Sequence, residues 1–195
     1  MKFYQELTLI PDPEIPLNAI WAALYPQLHI GLADVYNQHG INTIGVSFPR
    51  YHMSLQMAHN TLGNKLRLFA PDEATLAKLN IEKWLERLTD YIHIKKPAPV
   101  PEQTSHVVVK RYRYRPIEQQ AKRHAERHNI SYEAALKHCQ THRHAEIFPP
   151  FIKMKSESNA QPHPLVILQT AAMQAKKGHY NSYGFSQNGS TVPNW

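Results

Sequence analysis

A single cysteine, Cys139, excludes an intrachain disulfide framework and fits a reducing compartment. Long apolar runs are missing as well. No stretch approaches the roughly 18 residues of a membrane span, and the first residues, MKFYQELTLIPDPE, turn acidic too soon for a signal peptide. These absences predict a soluble, cytoplasmic protein with no membrane partner. Glycine is scarce, with seven residues against fifteen prolines. The prolines cluster at 11–16, 97–101, 149–150 and 162–164 and punctuate the chain. Familiar catalytic signatures are absent too. There is no HExxH, no second cysteine for a typical structural zinc site and no GxSxG elbow for a serine hydrolase. After residue 100 the acids number six and are scattered, which denies two-metal nuclease chemistry its carboxylate cluster. The sequence therefore assigns no metal and no cofactor.

What the chain does have is charge, confined to one half. Residues 1–100 hold nine Lys/Arg and nine Asp/Glu, whereas residues 101–195 hold thirteen against six, so the whole net charge of +7 lies there. Much of it is one run, Lys110-Arg111-Tyr112-Arg113-Tyr114-Arg115, followed by Lys122, Arg123 and Arg127. A neutral half joined to a basic, aromatic-interleaved half predicts a scaffold carrying a polyanion-binding surface. Nucleic acid leads, because phosphate contacts supply most of the affinity in such proteins. The segment Lys96-Pro97-Ala98-Pro99-Val100-Pro101 falls where the charge balance changes. It reads as a stiff, polyproline-like boundary between domains at 1–96 and 102–195.

Periodicity predicts a strand over 2–10 and a helix over 17–38 with a stripe at Ile20, Leu24, Leu28 and Leu32. Pro26 is expected to kink or divide that helix, and His29 follows the break. A strand from Ile41 to Phe48, a loop over 50–63 and a strand from Lys65 to Ala70 come next. Pro71-Asp72-Glu73 opens a second helix running to about Asp90, and Tyr91 to Ile94 supplies a last strand. Strand, helix, strand, strand, helix, strand is the ferredoxin-like split βαβ order, so the predicted class is α+β. In the basic half an alternating strand spans Ser105–Arg115, with Val107 and Val109 on the face of Arg111, Arg113 and Arg115. Helices follow over 117–128 and, with Ser131 as N-cap, to about His142. One or two strands are expected around a polar loop between Phe148 and Leu168, then a turn-rich tail over 180–195.

Each constellation has two readings. Arginines two residues apart on a strand project about 7 Å apart. That spacing suits successive phosphates or base edges, yet the same run also serves as a charged edge that blocks aggregation. The helix with Gln119, Lys122, Arg123 and Arg127 reads equally as a groove binder or as a solvated face. His124 and His128, with His138, Cys139, His142 and His144, invite a metal that the missing second cysteine argues against. His29 beside an apolar stripe, and Ser156 and Ser158 in a loop next to Lys153 and Lys155, look structural by themselves.

The chain nonetheless resembles the CRISPR repeat-processing endoribonucleases of subtype I-F (Ypest). The resemblance runs through Pro11-Asp12-Pro13-Glu14, Leu28-His29 and Ile44-Gly45-Val46-Ser47-Phe48-Pro49. It continues over the basic strand and helix, then Pro150–Ser158, Ser182-Tyr183-Gly184-Phe185-Ser186 and Val192-Pro193. It implies a ferredoxin-like N-terminal domain, a basic C-terminal strand-helix region that grips a repeat stem-loop, and metal-independent cleavage at the stem base. By the same resemblance His29 is the catalytic histidine, Ser156 the serine that positions the attacking 2′-hydroxyl, and Tyr183 the tyrosine beside the histidine. Arg111 matches the arginine that reads a guanine. Arg113 stands where the family has a glutamine, and Lys122, Arg123 and Arg127 fall on the major-groove helix. His163 replaces the aromatic residue that stacks after the serine loop. Lys110, Arg115, Gln119, Lys155 and Ser158 complete the expected RNA contacts.

RNA carries its own nucleophile. Removing the 2′-OH proton and aligning the oxygen with the scissile phosphate yields a 2′,3′-cyclic phosphate and a 5′-OH. Imidazole suits that task because it titrates near neutrality. The expected partners are the stem-loop RNA, to which the protein stays bound, and other subunits of an I-F-like effector complex. The alternative is a non-catalytic module that only holds structured RNA.

Overall fold

The computed structural model describes residues 1–54, 60–114, 116–142, 147–155 and 161–195. The chain is α+β, with two antiparallel sheets. β1 (Phe3–Leu9) leads into α1 (Leu17–His39), then β2 (Gly45–Ser47) and β3 (Lys65–Ala70). Two short helices, α2 (Glu73–Leu79) and α3 (Ile81–Trp84), and a 3-10 turn at Glu86–Leu88 lead to β4 (Ile92–Ile94). The first sheet has the order β2-β3-β1-β4. The second half comprises β5 (Ala98–Pro99), β6 (Ser105–Arg111), α4 (Ile117–His128), α5 (Tyr132–Thr141), β7 (Phe151–Lys155), β8 (Pro162–Ala172) and β9 (Val192–Asn194). Its sheet runs β7-β8-β6-β9. Among the described residues no helix is long and apolar enough to cross a membrane.

Several elements differ from the sequence expectation. α1 is not divided at Pro26. An interior proline costs about 3 kcal/mol, but Trp21, Leu24, Tyr25, Leu28 and Leu32 on the same helix are all buried. Each contributes roughly 1.5–3 kcal/mol, so packing outweighs the lost hydrogen bond. The helix expected to reach Asp90 stops at Asn80, whose left-handed backbone (φ 44°) turns the chain so that Leu79 and Ile81 both reach the core. The strand expected over 41–48 contracts to Gly45–Ser47. Within the proline-rich stretch, where no strand was expected, Ala98 and Pro99 pair with Tyr4 and Phe3 of β1. β6 ends at Arg111 instead of Arg115, and the tail contains β9, which pairs with the start of β6. Ser131 does cap α5, accepting from the Ala134 N–H at 3.2 Å.

The buried side chains of the two sheets form one hydrophobic cluster, from Leu7 and Leu68 through Leu28 to Ile152, Ile167 and Val192. α4 and α5 stand apart from it. They pack chiefly on each other, through the buried Ala121 and Ala135. Polar ties reinforce the join between the halves. Gln169 of β8 accepts from the Phe48 N–H and donates to the Phe48 carbonyl. Arg67 of β3 donates to the Trp195 backbone oxygen, and its guanidinium lies 3.9 Å from the centre of that ring.

Arg67 also meets Glu6, a buried carboxylate held by Lys65 at 2.6 Å, Arg67 at 2.9 Å and Lys95 at 3.0 Å. Burial pushes the Glu6 pKa up, but the ionic hydrogen bonds from Lys65, Lys95 and Arg67 outweigh it and bring the value down to about 2. A depressed carboxylate stabilises the fold above its unfolded pKa, and that stability is lost as pH falls through the folded value. Glu6→Gln should therefore cost on the order of 3 kcal/mol at neutral pH, since it leaves the buried Arg67 without its carboxylate partner, while Lys65 and Lys95 can still reach water. The wild-type protein should lose stability between about pH 4.5 and 2, and the variant should lose less over that range. Urea denaturation across the acid range measures both effects.

Candidate active site

The apolar face of α1 sets the position of His29. Leu28 and Leu32 anchor the helix in the core and leave His29 half-buried at its margin. Gly31, on the following turn, lies against the Trp84 ring, where a Cβ would sit 3.0 Å from the indole. This small residue lets α1 close on α3.

The other half of the site comes from the tail. Tyr180 to Ser186 form a tight turn, with the Asn181 side chain accepting from the Tyr183 and Phe185 N–H groups. Gly184 adopts φ +73°, and a Cβ there would sit 2.5 Å from Val46 Cγ1. In return the Val46 N–H donates to the Gly184 carbonyl at 3.0 Å. Gly45 is equally confined, since its Cβ would lie 2.6 Å from both Tyr180 and Val192. The two glycine-bearing motifs thus pack directly on each other. Ser186 fixes the far end of the turn, exchanging hydrogen bonds with the backbone of Val109 in β6.

This clip delivers Tyr183 to His29. The two rings stack face to face with centroids 4.0 Å apart and planes 1° from parallel. His29 Nδ1 lies 2.8 Å from the Ser182 carbonyl oxygen. A carbonyl only accepts, so Nδ1 carries the hydrogen and the neutral ring presents a bare Nε2. Tyr25, one turn before His29, donates its hydroxyl to the Tyr183 carbonyl at 3.0 Å. Burial, with Tyr183 adding to it, pushes the Tyr25 phenol well above its ordinary range, so it remains a donor. The imidazole is thereby fixed in plane, in rotation and in tautomer.

The family described as "CRISPR-associated protein (Cas_Csy4)" matches residues 4–195. The chain belongs to the Csy4 family. It is 31% identical over 192 residues to the "CRISPR-associated endonuclease Cas6/Csy4" of Pseudomonas aeruginosa (strain UCBPP-PA14), covering 97% of each chain. It is also 31% identical over 195 residues to the protein of the same name from Escherichia coli (strain UTI89 / UPEC), covering 99% of each. Among solved structures, one described as "Characterization of a Cas6-related gene from Pyrococcus furiosus" aligns over 99% of this chain and 98% of that one. Its TM-score is 0.37 at 10% identity.

For this Csy4-family chain, the structure joins His29 to Ser182 and Tyr183 across 153 and 154 residues of sequence. Ser156 and Ser158 lie outside the described residues. The strand that leads to them, β7, packs on α1, the helix that carries His29. The expected RNA contacts are more dispersed. Arg111 is half-buried at the end of β6 and Lys110 is exposed on the opposite face. Arg113 is exposed beyond the strand, so the even arginine spacing expected along a strand does not extend to it, and Arg115 is outside the described residues. Gln119, Lys122, Arg123 and Arg127 are exposed on α4, and Lys155 ends β7. His163, half-buried on β8, sits opposite Met154.

Sequence reasoning missed Tyr25 and the Ser182 carbonyl. Tyr25 carried a usable signal, because it precedes His29 by four residues and so shares its helix face. The histidines of α4 and α5 form a chain of ring contacts, with His124 4.3 Å from His128 and 4.5 Å from His138, and His138 4.2 Å from His142. Among the described residues, no group of three or more His, Cys, Asp or Glu side chains is placed to hold a metal ion. His144 lies outside the described residues.

Proposed function

We propose that this protein is the endoribonuclease that cuts precursor CRISPR RNA at the base of the repeat stem-loop. The observation that carries the reading is the state of His29. Its Nδ1–H is committed to the Ser182 carbonyl and its ring is clamped on Tyr183, which leaves Nε2 as a positioned base. Nε2 takes the proton from the 2′-hydroxyl of the nucleotide before the cut. The 2′-oxygen bonds to phosphorus, the bond to the 5′-oxygen breaks, and that oxygen takes a proton from water. The products are a 2′,3′-cyclic phosphate and a 5′-OH. Ser156, which follows the strand packed on α1, holds the 2′-hydroxyl. Orientation of one phosphodiester by a fixed stem end supplies much of the rate.

The first sheet's order and its intervening helices fit a ferredoxin-like unit at 1–96. Residues 102–195 then form the RNA-binding region. Arg111 and Arg113 face the stem base, while Lys122, Arg123 and Arg127 lie along the stem. α4 and α5 project from the core with these cations exposed, an arrangement suited to a helix laid in a nucleic-acid groove. The protein stays on the product hairpin and enters the effector complex with it.

Labelled hairpins made from the repeats of the host array test this reading in single-turnover cleavage assays with excess EDTA. The expected result is one cut at the stem base that EDTA does not slow. An intact hairpin that nevertheless binds tightly would identify a non-catalytic RNA holder. Cleavage abolished by EDTA and restored by a divalent metal would replace His29 with metal chemistry.

A further inference from the structure

The Ser182 carbonyl sets the tautomer of His29, and the turn that carries it sets the direction of that carbonyl. The Gly184 N–H donates to the Asn181 carbonyl at 2.8 Å, which closes a β-turn over residues 181–184. Neither Ser182 nor Tyr183 has a positive φ, so the turn is of type I and not of type II. The two types differ in the direction of their central peptide, here the one that joins Ser182 to Tyr183. Its carbonyl is the group that accepts from His29 Nδ1, at 2.8 Å.

A trans peptide is planar, and its C=O and N–H point in opposite directions. Whatever holds the Tyr183 N–H therefore aims the Ser182 carbonyl. The holder is the Asn181 side chain. Its Oδ1 accepts from the Tyr183 N–H at 2.9 Å and from the Phe185 N–H at 3.1 Å. Two donors converge on one atom, so only an acceptor serves there. The next peptide follows the same rule. Its N–H, on Gly184, faces the Asn181 carbonyl, and its C=O, on Tyr183, accepts from the Tyr25 hydroxyl at 3.0 Å. One side of the turn thus gathers N–H groups onto Asn181. The other side presents two successive carbonyls to α1, at residues one helical turn apart.

The direction of that central peptide decides what His29 can do. Which ring nitrogen of a neutral imidazole carries the hydrogen is set by the partner of the other nitrogen. With a carbonyl at Nδ1, the hydrogen sits on Nδ1 and Nε2 is bare. If the central peptide turned over, the Tyr183 N–H would face Nδ1 in place of the carbonyl. A donor there selects the opposite tautomer, in which Nε2 carries the hydrogen and cannot take another proton as a base. We propose that Asn181 is a positioning residue for the cleavage reaction. By holding the Tyr183 N–H, it locks the central peptide with its carbonyl toward His29 and so selects the tautomer whose Nε2 is free to act. The proposal rests on the reading of His29 as the base, but the tautomer itself is a property of the RNA-free protein.

Nitrogen NMR of the histidine rings reads the tautomer directly, in RNA-free protein held above the range in which imidazole titrates. The His29→Asn variant identifies the His29 signal among the thirteen histidines. Wild-type His29 should be in the Nδ1–H form. Asn181→Asp keeps an acceptor at the same reach and should retain that form. Asn181→Ala removes the acceptor and should shift the signal toward the Nε2–H form. Single-turnover cleavage at saturating protein should fall roughly three- to tenfold in Asn181→Ala, the value of one lost hydrogen bond. Hairpin affinity should stay unchanged, and Asn181→Asp should restore the rate. An Nε2–H signal in the wild type, or a folded Asn181→Ala protein with the wild-type tautomer, overturns the proposal. So does a rate loss that Asn181→Asp does not restore, which would leave Asn181 a structural residue of the tail. If the Ala variant does not fold, Asn181→Ser replaces it, because a serine hydroxyl accepts more weakly in such turns. A folded Ser variant must then show a partial shift, and its absence is equally fatal. Wild-type protein with the Nδ1–H form that leaves hairpins uncut would count against the catalytic reading, and the tautomer comparison would still decide the role of Asn181.

Discussion

His29→Ala should slow hairpin cleavage by roughly 10²- to 10⁴-fold, the range a positioned general base supplies, and should change hairpin affinity by no more than about threefold. The asymmetry follows from where the groups sit. His29 is half-buried on α1, while the exposed cations that would grip RNA lie on β6 and α4. Removing the imidazole exposes one face of Tyr183 but disturbs no buried apolar side chain of α1, so the fold should persist. His29→Asn sharpens the test. Its side-chain amide can donate to the Ser182 carbonyl in place of Nδ1–H but offers no basic nitrogen in place of Nε2. The account predicts that Asn is as inactive as Ala. Single-turnover rates and filter-binding affinities for the three proteins decide it. An active Asn variant would mean that the histidine only holds the tail in place.

The second large effect is expected at a residue that touches no reacting atom. Gly184→Ala should destabilise the protein by on the order of 2–4 kcal/mol, combining the left-handed backbone penalty with the overpacking against Val46. It should also cut the cleavage rate at least tenfold at temperatures where the protein remains folded, because Tyr183 is the preceding residue and loses its register on His29. Adding Val46→Ala separates the two contributions. It removes the 2.5 Å approach but leaves the φ of +73°, so it should restore only part of the stability. Thermal melts and rates on the single and double variants measure this. A Gly184→Ala protein with wild-type rate would show that the clip between the two glycine motifs does not position the site.

That clip also shows what the sequence could and could not reveal. The succession β1, α1, β2, β3, α2 and the later β4 was legible because each carries its own period or its own proline or acidic boundary, as at Asp72 and Pro71, whereas α3 was not. The cap at Ser131 was legible for the same local reason. Pro26 misled, because its cost is set locally whereas the buried neighbours that offset it are tertiary. Asn80 was missed because a left-handed residue inside an apolar stripe has no periodic signature. The tail looked like loose turns, since β9 has three residues and the Tyr180–Ser186 turn is held by partners as distant as Asn42, Val46 and Val109. His29 was invisible to residue-level reasoning, where a histidine beside a core stripe looks structural. It became a candidate only through the family resemblance, and the stack on Tyr183 then supplied a physical reason for the assignment. The arginine run was legible as charge but not as geometry, because the strand that would have spaced it ends at Arg111.

The central claim is that a fixed imidazole deprotonates the RNA's own 2′-hydroxyl. The most direct measurement compares cleavage of two hairpins identical except for a single 2′-deoxy nucleotide immediately before the cut. The account predicts that both bind equally, that the all-ribose hairpin is cut to a 2′,3′-cyclic phosphate, and that the deoxy hairpin remains intact. Cleavage of the deoxy hairpin at the same position would contradict it.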